Sequence, residues 1–100
     1  MKKQVLKPIE NETEEVTFKI SAEVLGGAKK ASIAGEFNNW DITKNPFKIT
    51  KGIGSVTITL EKGREYQYRF VINGETWVND PSAAKQVANE FGEQNSVISL

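Results

Sequence analysis

The chain has 100 residues, enough for one domain with a modest core, and it balances 13 Lys+Arg against 13 Asp+Glu. It has no Cys and no His, which excludes thiol and imidazole catalysis and a Cys/His zinc site. A formal charge of zero lacks the basic excess of a general nucleic-acid binder, so no nucleic-acid partner is expected.

At the N-terminus, Lys2 and Lys3 could open a leader, but Gln4, Lys7, Pro8, Glu10, Asn11 and Glu12 interrupt the apolar run a signal peptide requires. No stretch approaches the roughly 20 apolar residues of a membrane span. With cysteine absent as well, the expected setting is cytoplasmic, with no membrane partner. Residues 10–15 hold four of the 13 acids, so residues 1–14 read as a polar tail leading into a domain over 15–100.

From there the dominant period is two. Phe18, Ile20, Ala22 and Val24 alternate with polar residues over 17–24. Shorter strands are expected over 30–35 and 47–50. Val56, Ile58 and Leu60 mark a strand over 55–60, and Tyr66, Tyr68, Phe70 and Ile72 mark another over 65–72. Two more short runs follow, 76–79 and 96–100. Gly26-Gly27, Asn45-Pro46, Lys51-Gly52, Lys62-Gly63 and the hairpin dipeptide Asn73-Gly74 separate these runs. Residues 82–90 have helix-friendly composition but follow Asp80-Pro81, so a turn or irregular loop with room for one helical turn is expected. Seven short strands with frequent turns predict an all-β, immunoglobulin-like antiparallel β-sandwich, with an up-and-down barrel as the alternative.

The informative residues are those a sandwich core does not absorb. Trp40 lies among the turn formers Asn38, Asn39 and Asp41, so it belongs on a loop, and Phe37 is better placed to enter the core. Trp77 depends on hairpin register. A two-residue Asn73-Gly74 loop sets Phe70 opposite Trp77 and buries it. A three-residue loop that includes Glu75 sets Phe70 opposite Val78 and Val71 opposite Trp77. The second register gives Val78 a core role and places Arg69, Val71 and Trp77 on the outer face, so it is preferred. Exposed indoles suit the C–H faces of a pyranose, while Asn amides and a guanidinium reach its hydroxyls. The same residues suit a protein-interaction patch, and patterning leaves both open. Asp41 and Asp80 read as acceptors of Asx-type turns. Glu36, Asp41, Glu90 and Glu93 supply carboxylates, but no motif pairs them for glycoside hydrolysis, so no enzyme is expected. Without a Gly-rich phosphate loop or metal-ligand cluster, no cofactor is expected.

Three segments carry a family resemblance. Residues 31–41, Ala-Ser-Ile-Ala-Gly-Glu-Phe-Asn-Asn-Trp-Asp, resemble the V-x-L-x-G-x-F-N-x-W segment of carbohydrate-binding module family 48. That group includes the glycogen-binding domain of the AMP-activated kinase beta subunit and the N-terminal early-set domains of isoamylases, pullulanases and branching enzymes. Residues 63–77, Gly-Arg-Glu-Tyr-Gln-Tyr-Arg-Phe-Val-Ile-Asn-Gly-Glu-Thr-Trp, are similar to its G-x-Y-x-Y-K/R-F-x-V-D-G-x-W. Asn79-Asp80-Pro81 followed by residues 89–97 is similar to D-P … N-x-F-G-x-x-N-x-V.

The resemblance implies a β-sandwich that binds an α-1,4-glucan such as glycogen, starch or maltodextrin. By motif, Trp40 and Trp77 would stack on glucose rings, Arg69 and Asn95 would bond hydroxyls, and Phe91 would wedge against the chain. Three features depart from the kinase-subunit pattern. Arg69 replaces a Lys, the hairpin gains Thr76, and Glu93 stands where that pattern has a small hydroxylated residue. Early-set relatives also brace a neighbouring catalytic domain, so the alternative is an interaction or bracing module for a glucan-processing enzyme or kinase-like partner.

Overall fold

A computed structural model describes residues 12–100, so the polar tail expected over 1–14 lies, for residues 1–11, outside the described residues. The described chain forms two antiparallel sheets. One has three strands in the order β1 (Thr13–Ile20), β4 (Ile53–Glu61), β3 (Lys48–Thr50). The other runs β2 (Ala31–Gly35), β5 (Glu65–Ile72), β8 (Gln94–Ser99), β7 (Lys85–Ala88). Strand β6 (Thr76–Val78) pairs with β5 along Phe70–Ile72, beyond the stretch of β5 that pairs with β8. No strand ladder joins the two sheets among the described residues, which makes the fold a sandwich rather than a barrel.

The period-two pattern sorts side chains as expected. Tyr66, Tyr68 and Phe70 of β5 point inward and meet Phe18, Ile20 and Leu60 of the opposing sheet in one buried cluster. Phe18 and Tyr68 pack edge-on at 5.0 Å, and Phe47 meets Phe70 edge-on at 5.2 Å. Phe37 does enter the core side, packing 5.9 Å from Phe18. The β5–β6 hairpin takes the three-residue register, with Phe70 opposite Val78 and Val71 opposite Trp77.

Three local readings change. The run over 17–24 is not extended to its end: β1 stops at Ile20, and Ala22–Leu25 form one helical turn, α1. Ser21 caps that turn by accepting from the Val24 N–H at 3.2 Å, and Gly26, at φ 57°, closes it. Leu25 is thereby buried. Residues 85–88, read as loop, form β7 because Lys85–Ala88 pair with Val97–Gln94 of β8, a long-range partner that composition does not reveal. Val71 does point outward but is fully buried. It is flanked in register by Ser32 on one edge and Trp77 on the other.

Candidate functional site

Pairing partners share a face, so the outer face of the five-stranded sheet carries Gln67, Arg69 and Val71 of β5, Trp77 of β6, Asn95 and Val97 of β8. Two loops rise beside this face. Together they frame a groove of about 1020 Å³ lined by Trp40, Arg69, Trp77, Phe91 and Asn95 among others. All five residues singled out from the sequence therefore meet in one place.

The first loop presents Trp40. A Cβ on Gly35 would lie 2.6 Å from the Gln67 carbonyl oxygen and 2.8 Å from the Tyr68 Cβ, so only glycine lets β2 approach β5 here. The chain then turns through a 3₁₀ segment, Glu36–Asn38. Asn38 is buried and holds the turn from inside. Its Oδ1 accepts from the Gly35 N–H at 3.0 Å, and its Nδ2 donates to the Ile33 carbonyl at 3.0 Å and to Asn45 Oδ1 at 2.8 Å. Glu36 accepts from the Gln67 N–H at 2.8 Å, giving that donor a partner just past the end of β2.

Asn39 and Trp40 then sit at φ 57° and φ 58°. Asn tolerates the left-handed region. A bulky Trp there costs about 1–2 kcal/mol, so the surrounding bonds must hold it. The Trp40 N–H donates to the Gly35 carbonyl at 2.9 Å. Asp41 closes the loop as an Asx turn, accepting from the Thr43 N–H at 2.8 Å and its hydroxyl at 2.7 Å. Those bonds, the hydroxyl foremost, hold the Asp41 carboxyl below its ordinary pKa. Both bonds serve the turn, as expected from the sequence.

Trp77 stands at the other side of the groove, 38% exposed. Its ring centroid is 6.5 Å from that of Trp40, with the planes tilted by 41°. The strand that carries it is pinned from below. Asp80, buried, accepts from the Tyr68 hydroxyl at 2.7 Å and from the Ser82 N–H at 2.8 Å, the second being the expected Asx turn. The Asp80 N–H donates to the Ser96 hydroxyl, which in turn donates to Asn79. Burial, then the Asp80 contact, pushes the Tyr68 hydroxyl pKa far above its ordinary value, so it remains a donor.

Arg69 lies across the floor, its side chain only 13% exposed. One nitrogen donates to Glu93 Oε1 at 2.7 Å and the other to the Trp77 carbonyl at 3.3 Å. The guanidinium carbon is 5.9 Å from the Trp77 ring centroid, a cation–π distance. Its Nε is buried without a partner. The pair with Glu93 answers what the carboxylate does at a position that differs from the kinase-subunit pattern.

The second loop, between β7 and β8, presents Phe91. Asn89 builds it, its Oδ1 accepting from the Phe91 N–H at 2.9 Å and the Glu93 N–H at 3.1 Å. Phe91 projects from the tip, 80% exposed. A solvent-facing Phe has no core role, and it lines the same groove as the two indoles. Asn95 is more enclosed, 7% exposed. It sits in the middle of a row of amides: Asn89 Nδ2 donates to Asn95 Oδ1 at 3.2 Å, and Asn95 Nδ2 donates to Gln67 Oε1 at 3.0 Å. Gln67 and Asn89 line the groove and were not picked out from the sequence. The signal for Gln67 was present, two positions before Arg69 on the same strand face. For Asn89 it was the first Asn of the N-x-F-G-x-x-N-x-V resemblance, which marked the position without giving it a role.

A β-sandwich whose outer face bears an aromatic groove floored by amides and a guanidinium belongs to the class of ligand-binding β-modules. The family defined as the glycogen recognition site of AMP-activated protein kinase matches residues 18–100, and the chain belongs to that family. It is also 43% identical over 49 residues to a 1,4-alpha-glucan-branching enzyme of Saccharomyces cerevisiae. That stretch is 49% of this chain and 6% of the enzyme. No helix among the described residues is long and apolar enough to cross a membrane.

Proposed function

We propose that the groove binds α-1,4-glucan without cleaving it. The observation that carries this reading is the pair of indoles, 6.5 Å apart and tilted by 41°, over a floor of hydrogen-bonding side chains. Successive glucose units of an α-1,4-linked chain turn relative to one another, so a tilted pair of faces suits them better than a flat shelf. Trp40 and Trp77 would stack on pyranose C–H faces. Phe91 would wedge against the chain from the facing loop. Arg69 would donate to hydroxyls with the hydrogens not engaged by Glu93 or the Trp77 carbonyl. Asn95 would act in part through Gln67, whose Oε1 it already engages, leaving the Gln67 amide N–H₂ as donor to the sugar. Membership of a glycogen-recognition family supports the reading.

Each stacked ring is worth about 1 kcal/mol, so binding in the micromolar to millimolar range is expected. Titration with maltoheptaose and glycogen co-sedimentation test it. The wild type should bind, and a Trp40→Ala, Trp77→Ala double variant that stays folded should lose at least about tenfold in affinity. Equal binding by the two proteins would defeat the proposal, as would no binding by the wild type.

The match to a small part of a long branching enzyme favours a second reading, a module that also braces a glucan-processing enzyme. Co-purification in the presence and absence of excess maltodextrin separates the two, since loss of the partner on adding sugar would place that partner on the same groove.

A further inference from the structure

We infer that Glu93 sets the charge specificity of the groove, reserving it for uncharged glucan and turning away glucan that carries phosphate monoesters. This rests on the reading of the groove as a glucan site. Arg69 is the one basic residue among the described residues that line the groove. A free guanidinium would be a forked receptor for phosphate. Here Glu93 occupies one nitrogen at 2.7 Å, the Trp77 carbonyl occupies the other at 3.3 Å, and Nε is buried.

The positive charge is therefore balanced before any ligand arrives. What remains suits a hydroxyl, which needs a hydrogen bond and no counter-charge. Glu36, Glu75 and Glu90 also line the groove. With Glu93 they set four carboxylates against one guanidinium, so a phosphate monoester, at about −1.5 to −2 charge near neutral pH, meets a field of its own sign. Glu93 is the member that matters most because it alone touches the guanidinium: neutralising it both removes a negative charge and frees a positive one. Its side chain is 60% exposed, so the change does not disturb the core.

The test is calorimetric titration of the full chain with maltoheptaose and with maltoheptaose carrying one phosphate on a glucose 6-hydroxyl. At low salt the wild type should bind the neutral sugar about tenfold more tightly, and the gap should shrink near 0.5 M NaCl, where screening acts over about 4 Å. Glu93→Gln should bring the two affinities within about threefold of each other at low salt. Equal affinity of the wild type for both sugars at low salt would overturn the inference and leave the glucan reading intact, as would an unchanged ratio in Glu93→Gln. Failure of the wild type to bind neutral maltoheptaose would overturn the glucan reading, and the inference with it.

Discussion

The two sheets turn very different outer faces to solvent. On the three-stranded sheet, Glu15, Thr17 and Lys19 of β1 lie beside Thr59, Thr57 and Ser55 of β4, a shallow polar surface whose cross-strand contact is the Thr17–Thr57 hydroxyl pair at 2.8 Å. On the five-stranded sheet the outward positions hold Gln67, Arg69, Val71 and Trp77, and Val71 is sealed from water. Both faces obey the same alternation. The second has loops standing over it, those that carry Trp40 and Phe91, and they frame the groove. Alternation decides which way a side chain points. Loops decide whether the face it points from becomes a site.

If that is the right lesson, dismantling a loop should harm the groove while leaving the strands in place. Asn38→Ala gives the largest expected effect. It strips partners from the Gly35 N–H and the Ile33 carbonyl inside the Trp40 loop, and a loss of about 2–3 kcal/mol is expected by urea unfolding. Glucan affinity should fall as well, because Trp40 loses the frame that holds it in the left-handed region. Retained stability with normal binding would show that the loop is not what makes the site.

The opposite face sharpens the contrast. Thr17→Val together with Thr57→Val removes the exposed hydroxyl pair and should change stability by no more than about 0.5 kcal/mol, with maltoheptaose affinity unaltered. A clear loss of binding would mean that the polar face also takes part.

The smallest effect concerns pH. Asp41 is held below its ordinary value of 3.8 by the Thr43 hydroxyl and N–H. A carboxyl whose folded pKa is depressed contributes stability above its unfolded pKa and loses that contribution as pH falls through the folded one. The stability difference between wild type and Asp41→Asn should hold steady from pH 7 to 5 and shrink only below 3.8. Paired denaturation curves across that range check it, and a difference that stays constant on passing below 3.8 would show that the Thr43 contacts do not hold the carboxylate.

Much of the fold was legible because its causes are local. The inward set Tyr66, Tyr68 and Phe70 and the hairpin register that turns Trp77 outward both follow from side chains alternating along an extended backbone and from how many residues a turn contains. The helical turn after Ile20 was missed even though Ser21, Glu23 and Gly26 are capping signals, because Ala22 and Val24 continue the apolar alternation and the two patterns compete. Strand β7 was missed for another reason: Lys85–Ala88 has no pattern of its own and becomes a strand only because β8 offers it an edge.

The candidate site divides along the same line. Sequence alone determined the face on which Arg69 sits, because direction along a strand is a property of the local backbone, and it favoured the hairpin register, seen in the structure, that puts Trp77 beside it. It also determined the turn roles of Asp41 and Asp80, whose partners are Thr43 and Ser82, two residues away. Only the tertiary structure decided that Arg69 pairs with Glu93, 24 residues on, and that Asn95 leans on Gln67, 28 residues back. Those contacts depend on where separate loops and strands come to rest, and no local preference encodes that. The balance of charge on the groove floor is thus a product of folding rather than of composition.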